Sequence, residues 1–197
     1  MKRAGIVLGL IAALAGCTHV PLGSIIPLTR IKFGSTEFSR VRAAIKLPDS
    51  VRPRPRGVRM TVTVSVGGEP PQSYKFNLVE TRDPEDQAAL AAFVSAGSIV
   101  YAYRLSPDGV ERMERIRADM LSRGEALKRE GRNATGTLNI GIGAEEFCRT
   151  GELGSERLLS ATYIKTSETG EYVTVLRDVD LRLEPVVKDK IDTVPRC

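Results

Sequence analysis

The sequence predicts an α+β fold, with mostly antiparallel sheet (one sheet or more, about six to eight strands) and two central helices packed on it. Three observations support this class. Segments in which apolar and polar residues alternate recur along the chain. Two segments between them begin with helix-capping residues and carry apolar residues at helical spacing. The composition is that of an ordinary globular protein, without low-complexity tracts.

The N-terminal residues have the order of an export signal. Two cationic residues precede a short apolar run, 6–14, and the tetrad Leu14-Ala15-Gly16-Cys17 ends it. The run is too short to span about 30 Å of hydrocarbon as a permanent helix. The tetrad resembles the lipobox of bacterial lipoproteins, in which the cysteine thiol receives diacylglycerol before the signal is removed. An ordinary secretory signal and an uncleaved anchor are the alternatives.

The resemblance implies a lipid anchor. Residues 1–16 would be the signal peptide, Cys17 would carry acyl chains such as palmitate, and two or more chains hold a protein stably in a leaflet. Thr18 stands where retention in the inner membrane of many Gram-negative bacteria would require aspartate. The implied location is therefore the outer membrane, with the protein facing the periplasm. We expect residues 17–37 to form a lipidated N-terminus and tether, and residues 38–197 to form a single α+β domain.

The first part of the domain predicts a strand and then a hairpin. Apolar residues at 41–47 alternate with basic ones, which predicts a half-buried strand with a basic outer face that Pro48 ends. Alternation resumes over 58–66 and 74–78, and the loop 67–73 between these segments predicts a hairpin.

The segment 51–57 is the most basic stretch of the chain. Arg52, Arg54 and Arg56 alternate there with prolines, which fix φ and lack a backbone donor, so a central strand is excluded. One interpretation is a stiff cationic loop that contacts lipid phosphate or an anionic cell-wall polymer. The alternative is a rigid connector whose arginines are solvated.

Two helices are predicted near the middle of the chain. Asp83-Pro84-Glu85 supplies an N-cap, a first-turn proline and an acid near the positive end of the helix dipole, and the apolar content of this helix ends at Gly97. Ser106-Pro107-Asp108 predicts a longer helix that ends near Glu130. The predicted apolar stripe of the longer helix is Val110, Met113, Ile116, Met120, Leu121 and Leu127.

The remaining segments predict further strands. One lies between the helices over 99–105; its Tyr101 and Tyr103 would be candidate contact residues if they were exposed, but we expect them to pack in the core. Another covers 138–142, followed by a short helical turn from Ala144. A last hairpin is predicted over about 158–166 and 171–177, with a bulge beyond it.

The cysteine count agrees with export. With Cys17 committed to lipid, Cys148 and Cys197 remain as a pair in an oxidising compartment, which predicts a disulfide that pins the C-terminus to the fold. The alternative is two unrelated thiols.

The histidine content of the chain argues against histidine-dependent chemistry. His19 is the single histidine and lies on the predicted tether, which argues against a catalytic triad, a Cys-His dyad and a histidine-ligated zinc site. We expect no metal and no cofactor. Gly141-Ile142-Gly143 lacks the residues that would complete a phosphate-binding loop and is interpreted as strand. Carboxylate chemistry needs only two acids, and the candidates are Asp178 with Asp180 and Glu145 with Glu146.

The sequence therefore favours a non-catalytic, membrane-anchored envelope lipoprotein that serves as a binding or assembly module. The expected partner is an envelope protein complex or the peptidoglycan. The formal charge of +5 falls to +3 without Lys2 and Arg3, which is no nucleic-acid signature. The alternative function is a carboxylate-dependent hydrolase of cell-wall glycan or lipid. A cleft holding two acids would favour the hydrolase, and an exposed apolar patch would favour the binding module.

Overall fold

The computed structural model describes residue 28 and residues 31–185 and 187–197. Seven strands form one antiparallel sheet in the order β6-β3-β4-β5-β1-β8-β9, and β2 pairs with β7 in a separate two-stranded ribbon. With the two helices packed on the sheet, this confirms the α+β prediction. The strands are β1 Arg42–Pro48, β2 Val51–Pro53, β3 Val58–Val66, β4 Gln72–Thr81, β5 Ser98–Leu105, β6 Gly136–Ala144, β7 Phe147–Arg149, β8 Leu159–Lys165 and β9 Val173–Asp180. The helices are α1 Pro84–Leu90 and α2 Pro107–Arg129.

The inner face of the sheet carries the main core. In β3 every second residue from Val58 to Val66 is buried, as the alternation predicts. Helix α2 begins at its predicted cap, where the Ser106 hydroxyl accepts a hydrogen bond from the Gly109 amide at 3.1 Å. The residues that α2 buries in this core are Met113, Ile116, Met120 and Leu127. Leu121 is 51% exposed, so its place in the predicted stripe was wrong: it lies about 100° around the helix from Met120, away from the core.

The outer face of the central strands is also covered. Ala44 of β1 is fully buried in a second core with Leu90 of α1, so the strand is covered on both faces and the prediction that it is half-buried was wrong. The small residues Ala44, Ala102 and Ala161 lie on three adjacent strands and leave room for the short helix and the turn Ala91–Phe93 that follows it. Sequence alone placed the end of this helix too late, because the α-helix ends at Leu90 and only the 3-10 turn Ala91–Phe93 continues it.

One buried carboxylate holds α1 to the sheet. Asp86 is 3% exposed, and its carboxylate accepts hydrogen bonds from Arg42 Nε at 3.1 Å and from the Tyr172 hydroxyl at 3.0 Å. Burial, with the charge of Asp86 beside it, raises the pKa of Tyr172 far above its ordinary value, so this hydroxyl keeps its proton. The carboxylate therefore links one residue of β1 and one near the start of β9 to the helix.

We expect Asp86→Ala to destabilise the protein by about 3 kcal/mol, because the change leaves a buried arginine nitrogen and a buried hydroxyl without their acceptor. Urea unfolding at pH 7 measures this loss. Glu85→Ala is the matched control on the same helix, since its exposed carboxylate forms an ion pair with Lys165 and with no other described residue. An equal loss in both variants would show that Asp86 contributes no more than a surface charge does.

The segment before β1 packs on the domain. Phe38 is buried in the main core, and Ile31 and Phe33 pack against it. The Thr36 hydroxyl donates a hydrogen bond of 2.6 Å to Glu168, which lies in the turn between β8 and β9. Burial of Glu168 acts to raise its pKa, but the hydrogen bonds from Thr36, Thr166 and Ser167 outweigh it and hold the pKa below the ordinary value.

We expect this contact to make stability sensitive to acid. A carboxyl group whose pKa is lowered by folding stabilises the protein above its unfolded pKa of about 4.3, and the contribution is lost as the pH falls through the folded pKa. Glu168→Gln should therefore unfold at lower urea concentration than wild type at pH 7, and the difference should shrink below pH 4. A difference that stays constant from pH 7 to pH 3 would contradict the assignment.

The predicted helical turn from Ala144 is wrong. Residues Phe147–Arg149 form β7 instead, because they pair antiparallel with Val51–Pro53. Pairing with a segment almost a hundred residues earlier outweighs the local helix preference of the two glutamates.

The hairpin of β8 and β9 and its bulge agree with the prediction: the register shifts on both sides of Thr162. No helix in the described part of the chain is long and apolar enough to cross a membrane.

Candidate functional site

The sheet has two edge strands, and β6 is one of them. It pairs with β3 over nine consecutive residues without a register shift. Within the described residues, its backbone makes no hydrogen bond on the opposite side. None of its residues is charged or proline. Natural sheets usually protect an edge of this length with charge, proline, a bulge or a covering segment, so β6 has an open edge.

The other edge strand, β9, is built differently. Its pairing with β8 is interrupted by two register shifts, and Asp178 has a left-handed backbone with φ of 56°. Charged Arg177 and Asp178 lie at this irregular stretch. Bulges and charges are the devices that discourage further strand pairing, so β9 is a protected edge.

A cavity of about 270 Å³ lies beside the C-terminal half of β6. Residues of both edge strands line it, although β6 and β9 stand at opposite ends of the strand order, so the sheet curls and brings its two edges near each other. The lining includes Ile45 and Leu47, which lie on the inner face of the sheet. It also includes Arg59 and Thr61, which alternate with the buried residues of β3 and therefore lie on the outer face. The cavity therefore reaches both faces of the sheet around the open edge.

The walls of the cavity are mainly apolar. They include Ile45, Leu47, Ile142, Phe147, Leu176 and Val179. Leu181 and Val187, which follow β9, close one side. Such walls suit an apolar group rather than a charged or strongly hydrated one.

Two of the charged residues that line this cavity, Glu145 and Arg59, neutralise each other, whereas Glu184 forms no ion pair with any described residue. Glu145 forms an ion pair with Arg59, and its other oxygen lies 3.9 Å from Lys75 Nζ. The backbone oxygen of Glu146 accepts a hydrogen bond from the Arg54 amide at 3.0 Å. A Cβ atom added at Gly57 would lie 2.6 Å from that Glu146 oxygen, so a glycine is required where the two loops meet. These contacts fix the end of β6 beside the cavity.

The other carboxylates considered for catalysis also have structural contacts. Asp180 accepts hydrogen bonds from the backbone amides of Leu158 and Arg182 at 3.3 and 3.1 Å, and so caps the turn after β9. Asp178 lies at the irregular stretch on the exposed side of β9. In the described ranges, no group of three or more histidine, cysteine, aspartate or glutamate residues could hold a metal ion.

The structure confirms the predicted pairing of Cys148 with Cys197. The two sulfurs lie 2.12 Å apart and the Cα atoms 4.9 Å apart. The amide of Cys197 also donates to the Arg149 oxygen at 3.0 Å, and the Arg149 amide donates to Pro195 at 2.9 Å. These contacts join the C-terminus to β7 and hold the segment that closes the cavity, in which Val187 and Ile191 are buried.

We expect Cys197→Ser to lower the free energy of unfolding by about 4 kcal/mol, since the disulfide closes a loop whose ends are 49 residues apart. Urea unfolding without reductant measures the loss. Wild type treated with dithiothreitol should unfold with the variant, and dithiothreitol should leave the variant unchanged. Equal stability of untreated wild type and variant would contradict a stabilising bond.

The predicted cationic loop lies at one end of the sheet. Arg52 is compensated by Glu80 at 3.7 Å, whereas Arg54 and Arg56 are exposed and form no ion pair with any described residue. This loop precedes the first residue of β3. Ile31 lies at the N-terminal start of the continuous described chain. It is beside the last residues of β3, in a groove that Val64 and Val66 also line. The loop and the entry of the chain are therefore at opposite ends of the strands.

The remaining predicted positions were Tyr101, Tyr103, Cys17 and His19. Tyr103 is buried in the core and Tyr101 is half-buried against it, in agreement with the expectation of core packing. Cys17 and His19 lie outside the described residues, together with the signal segment. The open edge itself was missed by the sequence reasoning, and the uncharged strand with two glycines gives no sufficient signal, because a central strand can have the same pattern.

Comparison of the chain with protein-family models, with curated protein sequences and with solved structures found no match. A function can therefore be inferred only from the residues and the geometry of this chain.

Proposed function

We propose that this protein is a lipid-anchored, non-catalytic module of the bacterial cell envelope that binds another envelope component at the open edge of its sheet. The observation that carries the proposal is the unpaired edge of β6 beside an apolar cavity of about 270 Å³. An apolar recess next to unpaired backbone groups offers both contacts that a binding site needs: burial and directed hydrogen bonds.

The proposed anchor is diacylglycerol on Cys17. The tetrad that ends at Cys17 supports it, and the disulfide between Cys148 and Cys197 is consistent with an oxidising compartment such as the periplasm. We place the protein on the outer membrane, facing the periplasm, because Thr18 follows the cysteine.

The ends of the strands support an orientation on the membrane. The chain enters the domain beside the end of β3, while Arg54 and Arg56 precede its beginning. A strand of nine residues is about 30 Å long, so these arginines lie about that far from the point where the tether joins the domain. With that point of the domain toward the leaflet, an anionic cell-wall polymer is a better contact for the two arginines than the lipid phosphates.

A protein is the better partner for the open edge itself. The cavity walls are apolar and the strand is uncharged, which suits a polypeptide more than a hydrated glycan. The hydrolase alternative has no comparable support, because Glu145 is ion-paired and Asp180 caps a turn. We therefore propose binding, with a protein of the envelope as the partner.

We expect Cys17→Ala to release the protein from the membrane fraction, because no acyl chain can then be attached. Fractionation of cells in the presence of high salt, followed by immunodetection, measures the release. Cys197→Ala is the matched control: it removes a cysteine but should stay with the membranes. Wild-type protein should also show a diacylglycerol mass on its mature N-terminus. Membrane association of Cys17→Ala in high salt, or an unmodified N-terminus, would overturn the anchor.

A further inference from the structure

We infer that an extended segment of another polypeptide pairs with β6 and places one apolar side chain in the adjacent cavity. The inference rests on the proposed binding function and specifies the kind of partner. Strand addition to an exposed sheet edge combines backbone hydrogen bonds with side-chain pockets at every second residue. The two components needed on the receiving side are both present at β6.

The backbone of β6 supplies the first component. Its nine residues pair on one side only, and the strand contains neither charge nor proline to discourage pairing on the other. The same sheet protects β9 with register shifts and with a left-handed residue. An unprotected edge in a protein that protects its other edge indicates a surface used for pairing.

Two glycines supply a second, independent observation. Gly141 and Gly143 line the cavity, and a Cβ atom added to either would meet no atom within 4 Å. Neither has positive φ, and the pairing with β3 continues through both without a bulge. Nothing within the described chain therefore requires glycine here, although glycine weakens a strand. Glycine inside a strand often marks the close approach of another backbone or a ligand.

The cavity supplies the side-chain pocket. An engineered cavity of about 150 Å³ holds a benzene ring. The cavity beside β6, at about 270 Å³, is large enough for the side chain of phenylalanine or leucine. Of the two carboxylates in its lining, Glu145 is neutralised by Arg59, and Glu184 lies on the far side with Leu181 and Val187.

A single extended segment fits this edge better than a second copy of the folded domain. The cavity passes around the edge of β6 and is bounded on its far side by β9 and by Leu181 and Val187. Ile31 and Phe33 lie beside the N-terminal half of β6, so the space for pairing lies along its C-terminal half and suits one strand rather than a second sheet. A small apolar molecule could fill the cavity, but it would leave the backbone groups of the edge unpaired.

The test uses the full mature chain in detergent and a phage-displayed library of random nonapeptides as the probe. We expect selection to return peptides with apolar residues at alternate positions. Each selected peptide is then synthesised in two forms, with N-methyl groups on the odd or on the even residues. One form should bind at least tenfold more weakly than the unmodified peptide, since it lacks the donors that face β6, and the other should retain affinity. Equal affinity of all three peptides would overturn strand pairing.

Variants locate the site. Gly141→Val and Gly143→Val each add a side chain at the lining of the cavity, at positions where a Cβ atom meets no atom within 4 Å, so we expect unchanged or higher thermal stability and at least tenfold weaker peptide binding. Thr63→Val is the matched control on the outer side of the neighbouring β3, outside the cavity lining, and should bind within twofold of wild type.

Three outcomes would overturn the inference: no peptide is selected, the glycine variants bind as wild type does, or wild type forms a dimer in detergent that Gly141→Val dissociates. The last outcome would assign the edge to a second copy of the chain. These readouts do not depend on the lipid, because the peptide test concerns β6 and the Cys17→Ala test concerns membrane attachment. The strand inference and the proposed anchor can therefore fail separately.

Discussion

The structure depends on how a curled sheet satisfies its backbone hydrogen bonds without closing. Seven strands pair in one antiparallel sheet. The curl of the sheet brings its two edge strands, β6 and β9, to a common cavity. A closed barrel has no edges, but this sheet keeps two. Phe38 and Met113 lie together with Ile140 and Ile164 at one end of the gap, and Leu181 and Val187 lie at the other. The gap stays open between these two sets of side chains.

The elements outside the sheet serve mainly to hold this open form. Helix α2 and the segment from Ile31 to Phe38 fill the inner face, and α1 covers the outer face through the Asp86 contacts. The disulfide adds to the contacts of the C-terminal segment, whose described secondary structure is limited to turns, the short 3-10 helix Ile191–Thr193 and one bridge between Arg196 and Arg149. A covalent bond is an effective constraint there, because a short tail buries too little apolar area to stay ordered alone.

The sequence predicted the elements whose causes are local. The hairpin of β3 and β4 follows from alternation, and α2 follows from the Ser106 cap and the spacing of Met113, Ile116 and Met120. The cysteine pairing follows from the expected compartment and from counting. The errors arose where distant segments decide: the helical turn at Ala144 gave way to pairing with β2, and the outer face of β1 is covered by α1.

The candidate site could not be predicted for the same reason. Whether β6 is an edge or a central strand depends on the strand order, and pattern within one strand does not encode that order. The two glycines of β6 were interpreted as ordinary strand positions. This is correct for the backbone, but it does not predict which atoms surround the two residues. Only the fold shows that no side chain of the described residues occupies the space above them.

A lipid anchor would change what such an edge can do. Strand β6 runs antiparallel to β3, so it extends from the end where the chain enters the domain toward the end with Arg54 and Arg56. With Cys17 in the leaflet, the open edge of β6 would extend away from the membrane surface. A partner anchored in the same leaflet would meet it at a high effective concentration, so pairing of modest intrinsic affinity would suffice. An edge that pairs weakly in free solution would then pair stably only beside the membrane, which avoids the aggregation that an open edge otherwise invites.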